Sequence, residues 1–399
     1  MQKATVRDVD VRGKRVLERV DFNVPIDDGN IGDDTRIRAS LPTIRYLLDQ
    51  GASVVLMSHL GRPKGTFDRT FSLRPVGSRL GELLEMPIQM APDCVGPETK
   101  AMAEALQPGQ ILLLENLRFH SEEEANDPDF ARQLAELGDI YVNDAFGTAH
   151  RAHASTEGVT HSLPAVAGLL MEKELTFLGD TLENPRRPLV AIAGGAKVSD
   201  KITVLDRLIE VADALLIGGG MANTFFKANG LFVGDSLVED EKLEEARRLM
   251  AKASTLRKRF VLPVDVVVAD RVAPDADHVL TTPDHVPEGW RILDIGPQTL
   301  VAFGEVLMDA ATVVFNGTMG VAEIPAFAHG TQALIGLLVE RTEQGATTIV
   351  GGGDSAAAVA AMGADAKLTH VSTGGGASLE FLEGRVLPGV AALQDRQKG

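Results

Sequence analysis

A chain of 399 residues, 44% hydrophobic and 24% charged, has ordinary globular composition and room for two or three domains with cores of their own. Its single cysteine, Cys94, excludes an intrachain disulfide framework and fits a reducing compartment. The 39 Lys and Arg residues stand against 56 Asp and Glu; the net charge of −17 argues against nucleic acid or an anionic membrane as partner, but not against a small anion held by a local basic cluster.

Residues 1–13 mix charge with short apolar residues and do not read as a signal peptide, and no apolar run approaches the roughly 18 residues a bilayer span needs. A cytoplasmic protein is expected. Further along, strand-length apolar runs alternate with longer amphipathic stretches: Ala52–Met57, Ile111–Leu114, Leu189–Ala193, Ala214–Ile217, Val264–Ala269, Thr312–Phe315 and Thr347–Val350. That alternation predicts βαβ units and parallel sheets. The stretch Met171–Leu182 has helical periodicity, and Asn184-Pro185-Arg186-Arg187-Pro188 behind it cannot continue a helix, which places a domain boundary there. The fold class is α/β, with two doubly wound parallel-sheet (Rossmann-like) domains joined by a hinge helix.

Ligands of open α/β sheets sit beyond the carboxyl ends of the strands, so the residues after each run carry the functional information. In the first half these are cations: His59 and Arg62 in MSHLGRPKG, Arg118 and His120 in ENLRFH, and His150, Arg151 and His153 in NDAFGTAHRAHAS. An isolated arginine is usually solvated surface, but recurrence at three strand ends describes a polyanion pocket. A metal site at His150 and His153 is the poorer reading, since no thiolate or carboxylate stands at ligand spacing. In the second half the runs end in glycine: VAIAGGAK, LLIGGGMA, VVFNGTMG, TIVGGGDS and HVSTGGGAS. Glycine is also the ordinary residue of such turns, yet five on one sheet edge suggest a nucleotide site with backbone N–H groups near phosphate. Lys197 and Lys201, four apart, are expected one helical turn from each other.

No Walker A loop occurs, no H-R-D loop of protein kinases is present, and Gly351-x-Gly353-x-x-Ala356 matches the dinucleotide fingerprint only weakly. A nucleotide pocket and a polyanion pocket on two domains describe phosphoryl transfer. No general base announces itself, as befits a carboxylate acceptor that is already ionised at neutral pH. A nicotinamide dehydrogenase and a non-catalytic nucleotide-binding regulator are the rivals.

The segments Arg19-Val-Asp-Phe-Asn-Val-Pro25, Ser58-His-Leu-Gly-Arg-Pro63, Glu115-Asn-Leu-Arg-Phe-His120, Gly194-Gly-Ala-Lys-Val198 and Gly351-Gly-Gly-Asp354 resemble the phosphoglycerate kinase family, and the resemblance runs from about Val11 to Val390. It implies exchange of a phosphoryl group between 1,3-bisphosphoglycerate and Mg-ADP by a monomer, without a covalent intermediate. It implies a phosphoglycerate-binding domain over 1–172, a hinge helix and linker over 173–187, a nucleotide-binding domain over 188–378, and a segment 379–399 that returns to the first domain. By the same resemblance Asp21, Phe22, Asn23, Arg36, His59, Leu60, Gly61, Arg62, Arg118 and Arg151 bind phosphoglycerate. Gly195, Lys197, Lys201, Gly219, Gly220, Leu237, Ile292, Glu323, Gly352, Gly353, Asp354 and Ser355 bind nucleotide, with Asp354 the ligand of Mg2+ or alternatively a helix N-cap. Arg36, Lys197, Gly374 and Gly375 are the implied catalytic groups, Arg36 having looked like a solvated arginine. Three positions depart from the family: Glu18, read as an edge position, Thr318 in place of a proline, and Ile292 in place of a glycine.

Overall fold

The computed structural model describes residues 2–396; Met1 and the last three residues of the expected C-terminal return, 397–399, lie outside the described residues. The chain divides into two compact units, Met1–Thr176 with Val386–Gly399, and Phe177–Arg385. The runs Ser53–Met57, Leu189–Ala193 and Thr312–Asn316 are buried at every position, as expected of parallel strands covered on both faces.

In the first unit, strands β1 (Arg15–Arg19), β4 (Ser53–Met57), β5 (Gln89–Met90), β6 (Ile111–Leu113), β7 (Ile140–Asn143) and β8 (Ala165–Ala167) form one parallel sheet in the order β5-β6-β4-β1-β7-β8. A separate short hairpin pairs β2 (Ile26–Asp27) with β3 (Asn30–Ile31). Because β1 lies between β4 and β7, Glu18 belongs to a central strand, which corrects its reading as an edge position. Helix Thr35–Asp49 covers the sheet with Ile37, Leu41, Ile44 and Leu47, spaced three or four apart.

In the second unit, β9 (Leu189–Ala193), β10 (Ala214–Ile217), β11 (Arg259–Val261), β15 (Thr312–Asn316), β16 (Thr347–Gly351) and β17 (His370–Val371) form a parallel sheet in the order β11-β10-β9-β15-β16-β17. This is the strand order of the doubly wound dinucleotide-binding fold. The run Val264–Ala269 does not join it. Its ordered part, β12 (Val266–Ala269), pairs antiparallel with β13 (His278–Thr281) and β14 (Arg291–Ile295) in a three-stranded sheet. A short apolar run specifies a strand but not its partner.

Helix Leu169–Glu183 contains the predicted stretch and spans the division between the units. Its start is set by Asp144, whose Oδ1 accepts from the N–H groups of Leu170 (2.9 Å) and Met171 (3.1 Å). The helix Gly376–Leu382 packs on helix Ile202–Val211 within the second unit, so that unit continues past residue 378 to Arg385. From Val386 the chain bonds to the first unit, with Gly389 N donating to Ala149 O (2.9 Å) and Gln394 N to Ala165 O (3.0 Å). Among the described residues no helix is long and apolar enough to cross a membrane.

Candidate active site

The strand order of the first sheet reverses between β1 and β7, and the cations gather at the carboxyl ends of β1 (Arg19), β4 (His59, Arg62), β6 (Arg118) and β7 (Arg151). Arg19, the last residue of β1, is 1% exposed: its Nε donates to Ser155 Oγ (2.8 Å), its Nη2 lies 3.2 Å from His59 Nδ1, and its Nη1 donates to the Val20 carbonyl. Buried Glu123 balances this charge and accepts from Ser155 Oγ (2.6 Å) and N (3.0 Å). A guanidinium only donates, so His59 Nδ1 bears the lone pair and Nε2 the proton. Burial, then the positive charges of Arg19, Arg118, Arg36 and Arg151, hold the His59 imidazole well below its usual range. Burial and neighbouring cations bring His153 to about 4. Both rings are therefore neutral at pH 7, and the arginines supply the positive field.

Each arginine but one is oriented by a partner. Arg36 Nη1 donates to Asp21 Oδ2 (2.8 Å); Arg118 Nη1 donates to Gly61 O (2.8 Å) while its Nε lies 3.0 Å from Glu124 Oε1; Arg151 Nε donates to His150 Nε2 (3.1 Å). Arg62 is exposed and, among the described residues, has no side-chain partner. Asn23 Oδ1 accepts from Gly61 N (2.9 Å) and ties two of the loops together. Gly61 has φ +58°, and a Cβ there would stand 2.3 Å from the Phe71 ring. Three expectations change. Phe22 is wholly buried in the core with its N–H donating to Ser58 Oγ, and Leu60 is bound at both N–H and carbonyl by Asn116, so neither offers a side chain to a ligand. His120 leaves the cluster, its Nε2 pairing with Asp93 Oδ1 at 2.8 Å. Arg19 and Glu123 were missed by sequence reasoning: Arg19 stands inside a quoted motif, but only tertiary packing marks Glu123.

The second sheet reverses between β9 and β15, and a cavity of about 460 Å³ lies beyond that point. Gly195 and Ala196 after β9, Gly220 after β10, Thr318 and Gly320 after β15 and Asp354 after β16 line it, with Leu237, Arg291, Ile292, Leu293 and Glu323. Not every glycine meets a ligand. A Cβ on Gly219 would stand 2.6 Å from both Gly195 N and the Thr318 carbonyl, so this glycine lets two turns pack backbone on backbone and does not itself line the cavity. Gly352 caps the next helix at φ +91°, Gly353 opens it, and buried Ser355 accepts from Gly317 N (2.7 Å); these three shape the turn around Asp354. Ile292 forms part of the wall, its N–H held by Ser236 Oγ.

The lysines do not form a helical pair. Helix Ile202–Val211 starts after Lys201, leaving Lys197 exposed in the preceding loop. Lys201 is 9% exposed and its Nζ donates to both the carbonyl (2.9 Å) and the side-chain oxygen of Asn316. Asp354 is not a helix N-cap, because Gly352 holds that position, and among the described residues its exposed carboxylate has no hydrogen-bond partner. An exposed carboxylate without a protein partner, on the wall of the cavity, fits Mg2+, which binds through one or two carboxylates with substrate phosphates supplying the rest. Gly374 N–H is taken by Ser372 Oγ (3.1 Å), so the amides at the start of helix Gly376–Leu382 that remain for a ligand are those of Gly375 and Gly376. The weak dinucleotide fingerprint follows β16, whereas a working one would follow the first strand, β9.

A family model described as phosphoglycerate kinase matches residues 6–385. The phosphoglycerate kinases of Chloroflexus aggregans and Chloroflexus aurantiacus are 59% and 60% identical over 400 residues, covering all of both chains in each case. Among solved structures, phosphoglycerate kinase from Coxiella burnetii aligns with a TM-score of 0.88 at 42% identity, and that from Pyrococcus horikoshii with 0.83 at 32%, each over 98% of both chains. The chain therefore belongs to the phosphoglycerate kinase family, and its reaction is the glycolytic transfer of a phosphoryl group between 1,3-bisphosphoglycerate and ADP.

Proposed function

We propose that the arginine cluster binds the phosphoglycerate, that the cavity of the second unit binds ADP or ATP, and that transfer follows closure about the helix Leu169–Glu183. What supports this most is the convergence of Arg19, Arg36, Arg118 and Arg151 on one buried neutral imidazole, His59. A cluster of cations that its neighbouring carboxylates only partly offset is suited to a substrate with several negative charges. Arg36, Arg62, Arg118 and Arg151 take its phosphate and carboxylate oxygens; Asp21 orients Arg36, Asn23 joins the loops, and His59 donates from Nε2.

On the nucleotide side, Leu237 and Ile292 flank the base, Glu323 holds the ribose, Gly195 and Gly220 let backbone approach it, and Lys201 meets the phosphates. Asp354 holds the metal of the Mg-nucleotide, which when bound neutralises phosphate charge. The phosphoryl group carries its transition-state charge on equatorial oxygens, where Arg36, Lys197 and the amides of Gly375 and Gly376 stabilise it. The acceptor carboxylate needs no base. In this reading residues 1–172 and 188–385 are the two substrate domains, 173–187 the hinge, and the enzyme acts as a cytoplasmic monomer.

The test is ATP consumption that depends on 3-phosphoglycerate, coupled to reduction of the acyl phosphate. Arg36→Ala and Lys197→Ala are each expected to lower kcat about 10³-fold or more with a smaller change in KM. An unchanged kcat removes that residue from the mechanism, and no turnover by the unaltered enzyme with magnesium overturns the reading.

A further inference from the structure

Among side chains assigned to neither substrate, the first unit assembles three metal-type donors. Asp93 and Cys94 follow β5, and His120 ends the short helical turn Leu117–Phe119 that carries Arg118. One oxygen of Asp93, the sulfur of Cys94 and a ring nitrogen of His120 lie within 4.8 Å of one another; among the described residues no other three His, Cys, Asp or Glu donors come so close. We propose that Asp93, Cys94 and His120 form a binding site for one divalent cation of the zinc class.

The donor set decides the class of ion. Thiolate and imidazole favour zinc-like ions over magnesium or calcium, and a carboxylate completes a mixed set of three with water in the fourth tetrahedral position. Zinc bonds of about 2.0–2.3 Å put tetrahedral ligand atoms roughly 3.3–3.7 Å apart, so the three atoms need move by only about 1 Å. His120 Nε2–H, now donating to Asp93 Oδ1 at 2.8 Å, gives up that proton to solvent as the pair opens, and the ion takes the freed Nε2 lone pair while the neutral ring carries its one proton on Nδ1. The Cys94 thiol releases its proton to solvent and the thiolate bonds the cation.

Surrounding contacts hold the donors in place. Asp93 Oδ1 also accepts from Cys94 N (2.7 Å), the Asp93 carbonyl accepts from Thr99 Oγ1 (3.0 Å), and the His120 ring packs 5.3 Å from that of Phe130. The side chains of Asp93 and His120 are 44% and 27% exposed, so the ion reaches the buried sulfur between them. Asp354, the carboxylate assigned to magnesium, belongs to the other unit.

Cys94 is the only cysteine of the chain, so a thiolate-to-cobalt charge-transfer band in the near ultraviolet reports this site alone. The full-length, metal-free protein is titrated with Co2+ by absorbance and with Zn2+ by calorimetry. The expected result is one equivalent bound, a charge-transfer band displaced by Zn2+ and absent in Cys94→Ser, and about tenfold or more weaker binding in His120→Gln. The His120 substitution lies at a partly exposed position and serves if Cys94→Ser fails to fold. No band in the unaltered protein, or binding unchanged in His120→Gln, overturns the proposal and leaves the three residues as a structural hydrogen-bond cluster.

Discussion

Lys201 carries its charge under strain from its surroundings. Burial lowers its ammonium to about 8, although Asp354 and Asp200 act in the opposite direction. Below that pH the charged form dominates, and above it the contact with nucleotide phosphate loses its charge. ADP affinity measured by calorimetry is therefore expected to weaken as pH rises from 7 to 9, and to weaken much less in Lys201→Met. An equally steep decline in the variant would remove Lys201 from the phosphate site. Both lysines were visible in the sequence as cations after a glycine turn. Their different fates were not, because Lys201 is buried with its Nζ bonded to Asn316, a residue 115 positions away.

Strand β1 shows a similar conflict within one element. Val16, Glu18 and Val20 project to the same face, and both valines sit in the core of the first unit. Neither oxygen of the Glu18 carboxyl has a hydrogen-bond partner; burial, then the like charge of Asp144, pushes its pKa well above the usual range. The unfolded chain, titrating near 4.3, sheds this proton first, so the Glu18 contribution to stability falls as pH rises through and above that value. Glu18→Leu is expected to raise stability by about 1–3 kcal/mol at pH 8, and by less at pH 5. Thermal unfolding at the two pH values checks this; a lower melting temperature for the variant at pH 8 would show that the carboxyl has a partner.

At the scale of the molecule, each unit has its own parallel sheet and its own apolar core. The aromatic residues divide between them: Trp290, the only tryptophan, lies in the second unit, and both tyrosines, Tyr46 and Tyr141, lie in the first. Tryptophan and tyrosine fluorescence thus follow separate units. ADP at 100 times its Kd is expected to add about 2.7 kcal/mol to the transition seen by Trp290, and 3-phosphoglycerate to act first on the tyrosine signal. A tryptophan transition that ADP leaves in place would move the nucleotide to the other unit. The net charge of −17 is compatible with two anionic substrates because the cations gather at strand ends, where Arg19, Arg36, Arg118 and Arg151 act on one imidazole.

The α/β class, the helix across the unit division and the cationic and glycine-rich strand ends were all legible in the sequence, because periodicity and turn chemistry are local properties of the chain. Tertiary structure alone assigned β12 to an antiparallel sheet, buried Phe22 and Leu60, and turned His120 toward Asp93. It also separated the glycines that line the cavity, Gly195 and Gly220, from Gly219, which only lets two turns meet. These outcomes depend on which strands become neighbours and which side chains lose water. Both are set by packing between segments far apart in the chain, and a local pattern carries no record of them.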